Sequence, residues 1–213
     1  MAWFSMSSVF AADHPLINHH LVRLRDKETS PAEFRSLVGR LAGLLAYEAT
    51  KDLEVQPTKV ETPIAIADGA RLSKRIGIIP ILRAGLGMVE PVLNFIPDAE
   101  VWHLGLYRDE ATAQPVEYYQ KLPESDPVDV ALVLDPMLAT GGSATVAIRT
   151  LQRWGVKTIK LCAIIAASDG IEEVRRQCPE TQIYVCTIDS ILNADKFIVP
   201  GLGDAGDRIF NTH

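Results

Sequence analysis

The run Asp135-Pro136-Met137-Leu138-Ala139-Thr140-Gly141-Gly142-Ser143 brings together a carboxylate, two adjacent glycines and two hydroxyls. Each has a chemical use. Adjacent glycines let backbone amides approach an anion with no Cβ in the way. Thr140 and Ser143 add hydroxyl donors, and a helix opening there adds unpaired N–H groups with partial positive charge. Together they form a cup for a phosphate. Asp135, just upstream, suits sugar hydroxyls or a magnesium ion. A phosphate cup beside such a carboxylate fits a ligand that carries a phosphorylated ribose. Gly-Gly-Ser alone would read as an ordinary helix start, because Asp and Ser near a helix start are often only caps. The whole string carries the reading.

Two further clusters hold chemistry. Arg83 ends the apolar run from Ile76 and precedes Gly85 and Gly87. A guanidinium at a strand end can grip phosphate oxygens in bidentate geometry, although on spacing alone Arg83 would pass as a surface arginine. Arg108 ends another extended run, Gly105-Leu106-Tyr107-Arg108. Near the end of the sequence, Phe197 to Asp207 contains Gly201, Gly203 and Gly206 at the dinucleotide-binding spacing. That reading fails on context. Pro200 precedes the first glycine, and the seven residues after Gly206 leave no room for a helix, a second strand and a ribose-binding acid. His14, His19, His20, His103 and His213 lack metal-ligand spacing, so zinc is not expected.

The elements that must position these residues show in the periodicity. Val130 to Leu134 is five apolar residues, a strand buried on both faces. A helix follows from Thr140, then a strand over 158–167, a helix over 170–177 and a strand over 182–188. Upstream, Pro31 to Lys51 has helical spacing at Phe34, Leu37, Val38, Leu41, Leu44 and Leu45, opened by Ser30-Pro31 in cap and first-turn positions. Strands are expected over 54–67 and 75–82, a helix over 85–96, and extended segments over 99–107 and 116–121. Strands alternating with helices give an α/β fold with a mostly parallel sheet flanked by helices, and such sheets bind ligands at the carboxyl ends of their strands.

Composition narrows the class. The 213 residues, 47% hydrophobic and 23% charged, match an ordinary globular protein. They read as one domain over 1–213, with residues 1–12 an N-terminal arm that need not be well ordered. A net charge of −6 gives no general attraction to nucleic acid or anionic membrane, so an anionic substrate requires a local positive site. Cys162, Cys178 and Cys186 lack paired spacing and read as buried free thiols, which points to a reducing compartment. The apolar start, Met1 to Ala12, lacks the basic opening of a signal peptide, and no segment reads as a membrane span. Cytoplasm is the expected location.

The string Asp135 to Ser143 resembles the phosphoribosyl-pyrophosphate (PRPP) loop of type I phosphoribosyltransferases, in the form found in the uracil phosphoribosyltransferase family. Pro136 stands where most type I relatives carry a second acid, as it does in the uracil branch. Pro80-Ile-Leu-Arg83-Ala84-Gly85-Leu-Gly87-Met88 is similar to that family's pyrophosphate loop, and Ile198-Val-Pro200-Gly201-Leu-Gly203-Asp204-Ala205-Gly206-Asp207 to its uracil-binding loop. The resemblance runs from about Asp13 onward.

It implies the type I phosphoribosyltransferase fold, with a β-hairpin flap and a C-terminal hood loop. The implied activity is transfer of the phosphoribosyl group from PRPP to uracil, giving UMP and pyrophosphate in pyrimidine salvage. PRPP would contact Arg83, Arg108, Asp135, Pro136, Met137, Leu138, Ala139, Thr140, Gly141, Gly142, Ser143 and Asp204. Uracil would contact Ile198, Gly203, Asp204 and Ala205. Arg83 and Asp204 are the catalytic candidates. Magnesium is the implied cofactor, carried mainly by the substrate, with no directly assignable metal ligand. The uracil proton is left to Asp204, to water, or to reaction of uracil as its anion. The resemblance further implies a homodimer or higher homo-oligomer, for which the Leu41–Tyr47 helix face is a candidate surface, and admits a GTP effector. A regulator on the same fold that binds RNA or senses uracil nucleotides is the alternative, and the acidic charge speaks against RNA.

Overall fold

The computed structural model describes residues 9–108 and 115–212. In chain order the elements are β1 (Val9–Ala11), α1 (Pro15–Arg25), α2 (Pro31–Ala49), β2 (Val55–Glu61), β3 (Ile66–Leu72), β4 (Ile76–Leu82), α3 (Leu86–Leu93), β5 (Glu100–Val101), β6 (Leu104–Arg108) and β7 (Pro115–Gln120). There follow β8 (Val130–Leu134), β9 (Met137–Leu138), α4 (Gly142–Trp154), β10 (Thr158–Ala167), α5 (Ser168–Gln177), β11 (Gln182–Asp189), β12 (Ile191–Leu192), β13 (Ile198–Val199) and α6 (Ala205–Phe210).

The main sheet runs β1-β11-β10-β8-β4-β6-β7. Its pairings are parallel except β6 with β7, which are antiparallel, as a hairpin flap requires. Residues 109–114, between the two strands, lie outside the described residues. In β8 the side chains alternate between two cores. Val130, Leu132 and Leu134 pack with α1, α2 and α3, whereas Ala131 and Val133 pack with α4 and α5. A strand covered on both faces must be apolar throughout, which is why this run had no polar alternation.

The structure departs from the sequence expectation at three places. The segment expected as one strand over 54–67 is a hairpin, β2 and β3, because Thr62-Pro63 turns the chain. The Thr62 hydroxyl accepts the Ala65 amide at 3.1 Å, and its amide donates to the Ala65 carbonyl at 3.0 Å. Both faces of this hairpin are largely exposed, with Ile64 at its tip.

Secondly, α1 was not anticipated. His14 caps it, its Nδ1 accepting the Leu16 amide at 3.1 Å, and Pro15 takes the first turn. Its buried Ile17, Leu21 and Leu24 have helical spacing that the nearby histidines obscured. Thirdly, the proposed association face at Leu41–Tyr47 is mostly core. Leu41, Ala42, Leu45 and Ala46 are buried against the sheet, and only Tyr47 is well exposed. The cap of the same helix matches expectation, with the Ser30 hydroxyl accepting the Glu33 amide at 3.3 Å.

Lys160, in β10, is fully buried. Its Nζ donates to the Ala49 carbonyl at 2.7 Å, at the end of α2, pairs with Asp52, and lies 5.6 Å from the centre of the Tyr184 ring. The three cysteines are buried and free; burial lifts the Cys162 thiol to about 12. Among the described residues no helix is long and apolar enough to cross a membrane.

Candidate functional site

The loops after β4 and β8 and the segment that follows β11 come together at one edge of the sheet. The loop after β8 is held mainly through backbone. The Asp135 amide donates to the Cys162 carbonyl at 3.2 Å, while the Pro136 carbonyl accepts the amides of Ile164 and Ile165 at 3.1 and 3.0 Å. Pro136 has no amide of its own to satisfy, so its place against β10 leaves no orphaned donor. β9 then pairs with β10, and Gly141 takes φ 81° as the cap residue of α4, a left-handed conformation suited to glycine. Its carbonyl accepts the Thr145 amide at 2.9 Å, opening the helix.

Gly170, at the start of α5, presses on this loop from behind. A Cβ there would lie 2.5 Å from the Ala139 carbonyl oxygen and 2.8 Å from that of Leu138. Only glycine permits that approach, and no local motif marks this position.

Asp135 is half-buried at the end of β8. Its Oδ1 accepts the Met137 amide at 3.2 Å. Burial pushes its carboxyl up to about 6; the Met137 amide opposes the shift, and the nearby Asp204 carboxylate adds to it.

Arg83 follows β4, with a cis Leu82–Arg83 peptide. Its guanidinium turns toward α6, donating to Asp207 at 3.1 Å, and remains largely exposed. Gly85 behind it is packed tightly enough that a Cβ would meet the Leu134 carbonyl oxygen at 2.4 Å. Arg108 closes β6, and its side chain lies outside the described residues.

The segment Ile198–Gly206 folds over the same edge. Gly201 has φ 54° after a cis Val199–Pro200 peptide, and Gly203 has φ 80°. Ile198 and Ala205 are buried, whereas Gly203 and Asp204 are exposed. Asp204 caps α6, its Oδ1 accepting the Asp207 amide at 2.8 Å.

Side chains from far along the chain hold this segment. Arg25 grips Asp189 with two bonds of 2.7 and 2.8 Å and donates to the Gly201 carbonyl at 2.8 Å, while the Gly201 amide donates to Asp189 at 2.9 Å. Burial alone would raise the Asp189 carboxyl, but its bonds from Arg25 and the Gly201 amide outweigh it and hold the group below its ordinary value. Arg208 donates to the carbonyls of Leu24, Leu202 and Asp26 at 2.8, 2.9 and 2.6 Å and stacks over Phe34. Neither Arg25 nor Asp189 carried a local signal in the sequence.

The loops enclose a cavity of about 560 Å³. Met137, Ala139 and Ser143 form one wall and Ile198, Gly203, Asp204 and Ala205 the other, with Ala84 between and Lys196 and Phe197 at the rim. Lys196 and Phe197 were not anticipated. Cavities of similar size elsewhere gather no comparable set: one lies against Arg71 and Glu100, another between α2 and α3. Among the described residues no group of three or more metal-ligating side chains converges.

A family model described as uracil phosphoribosyltransferase matches residues 11–212. The uracil phosphoribosyltransferase of Roseiflexus sp. (strain RS-1) is 53% identical over 207 residues, covering 97% of this chain and 100% of that protein. That of Halalkalibacterium halodurans is 52% identical over 208 residues, covering 97% and 100%. Among solved structures, the AQ2163 protein from Aquifex aeolicus superposes with a TM-score of 0.90 at 37% identity, covering 95% of this chain and 97% of that one. A hypoxanthine phosphoribosyltransferase from Staphylococcus aureus, at a TM-score of 0.50 and 14% identity, covers 73% of this chain and 74% of its own, a likeness of fold alone.

Proposed function

This chain belongs to the uracil phosphoribosyltransferase family, and on that premise we propose that it transfers the 5-phosphoribosyl group of PRPP to uracil, giving UMP and pyrophosphate. One observation carries the assignment of parts: residues of the phosphate loop and of the C-terminal loop line a single cavity. Donor and acceptor therefore share one space. The regulatory alternative gains no support from the relatives.

The 5′-phosphate sits at Thr140–Ser143, against the amides at the start of α4. Asp135 accepts hydrogen bonds from the ribose hydroxyls. Arg83 and Arg108 take the pyrophosphate. Uracil lies against Ile198, with the backbone of Gly203 and Ala205 meeting its carbonyl, N–H and carbonyl edge. Cytosine reverses that donor and acceptor pattern and would leave buried groups unpaired, which is a strong basis for rejection.

Charge builds on the leaving pyrophosphate as the ribose C1 becomes oxocarbenium-like. Arginine donors fixed beside it stabilise that charge more than they stabilise the bound substrate. The rest of the rate comes from holding the uracil nitrogen in line with C1.

The residues present fit a magnesium ion carried by the donor. Magnesium keeps several waters and commonly takes one or two carboxylates with substrate phosphate oxygens. Asp204 uses Oδ1 for its cap bond, which leaves Oδ2 to reach such an ion. When bound, the ion would neutralise charge on the pyrophosphate oxygens. Three reduced, buried cysteines fit work in the cytoplasm.

The test is pyrophosphate release from PRPP with a panel of bases. Release should depend on uracil and be at least a hundredfold slower with cytosine, on the order expected when a polar edge is mismatched. Release with uracil no faster than without a base would sink the reading.

A further inference from the structure

Arg83 is not a free arginine swinging in solvent. Its Nη2 donates to Asp207 Oδ1 at 3.1 Å, and its Nη1 reaches Thr212 Oγ1 at 3.4 Å. Thr212 Oγ1 donates to the same Asp207 oxygen at 2.7 Å. The Asp207 amide is itself fixed by Asp204 at 2.8 Å.

We propose that Asp207 is a positioning residue for donor binding: it holds the Arg83 guanidinium in place against α6 before PRPP arrives. The inference rests on the assignment of Arg83 to the pyrophosphate. An arginine side chain carries roughly 2 kcal/mol of rotamer entropy, and a site that orders it beforehand avoids that loss on binding.

Positioning fits the geometry better than competition for two reasons. Asp207 is anchored on α6 and by Thr212, so it does not move aside readily. The ion pair engages the guanidinium from one side, while 56% of the Arg83 side chain stays exposed to meet an anion. The arrangement also makes α6 common to both substrates. Asp204, its cap, belongs to the acceptor loop, and Asp207, in its first turn, orients the donor's arginine.

The experiment is calorimetric titration of the full chain with magnesium-PRPP, for wild type, Asp207→Asn, Arg83→Ala and the double variant, alongside KM for each substrate. The pair is substantially exposed, so the expected effect of Asp207→Asn is modest, roughly two- to fivefold weaker PRPP binding. KM for PRPP should rise more than KM for uracil, and Asp207→Glu should recover part of the loss. In the Arg83→Ala background, Asp207→Asn should cost nothing further.

Unchanged or tighter PRPP binding in Asp207→Asn overturns the proposal, the second because Asp207 would then be competing with the donor. An equal loss in both backgrounds also overturns it, since Asp207 would then act through α6 alone. If Arg83→Ala by itself leaves PRPP binding intact, the assignment of Arg83 fails first, a distinct result. Should Asp207→Asn not fold, Thr212→Val probes the same clamp, with a smaller loss expected and no change overturning it.

Discussion

The two walls of the cavity are held in different ways. The loop after β8 is fixed by backbone: carbonyls and amides of β10, the start of α4, and the close approach of Gly170. The segment Ile198–Gly206 is fixed by side chains: Arg25 with Asp189, and Arg208 with the turn after α1. A wall made of backbone is sensitive to added bulk and tolerant of lost side chains. A wall held by distant arginines is the reverse. The donor wall is also continuous with the main sheet, whereas β13 of the acceptor wall pairs with β12 in a separate two-stranded sheet.

The largest test of this contrast is Gly170→Ala. The added methyl would collide with backbone that cannot turn away, so PRPP binding should fall by two orders of magnitude or more, and uracil binding, read by calorimetry, should change far less. Equal losses for both substrates would show that the two walls are not independent.

Arg25→Ala is the complementary test. It strands the Asp189 carboxylate, of which only 7% is exposed, and should destabilise the fold by about 3 kcal/mol. KM for uracil should rise at least tenfold with KM for PRPP nearly unchanged. The sign in pH follows from the lowered Asp189 carboxyl: its stabilisation is present above the ordinary carboxylate range and lost as pH falls through its folded value. The melting temperature of Arg25→Ala should therefore converge on wild type in acid. A constant gap across pH would break the assignment.

Asp135→Asn probes the donor wall by charge. The wild-type carboxyl, raised to about 6, ionises as pH climbs through that value, so PRPP affinity should weaken below about pH 6 and the variant should lose that limb. Because a raised carboxyl pKa lowers stability as pH rises, the unliganded variant should melt higher than wild type at neutral pH. A wild-type affinity flat from pH 5 to 7 would refute this. Ser143→Ala is the smallest change, removing one donor among several. It should weaken PRPP binding by about 1 kcal/mol without altering uracil binding.

The contrast also explains what could be read beforehand. The donor wall is local: strand, acid, glycines and helix follow one another within a few turns, and each constrains its neighbours. β10 emerged with its expected bounds, Thr158–Ala167, because an apolar run between turns needs no distant information. The acceptor loop was legible as a string, but its supports were not. Arg25 and Asp189 are 164 positions apart, and Arg208 and Leu24 are 184 apart. Nothing local in either arginine announces its partner. The α1 spacing of Ile17, Leu21 and Leu24 was present and could have been found. Gly170 was beyond reach, since its role depends on which loop packs over it.

Lys160 has a practical corollary. Amine-reactive reagents need an accessible nitrogen, and this one is shut beneath the end of α2, bonded to the Ala49 carbonyl. Surface lysines such as Lys27 would acquire label within the first minutes. Lys160 would acquire it only when α2 lifts from β10, so its labelling rate, followed by peptide mass, would serve as a clock for opening of the core.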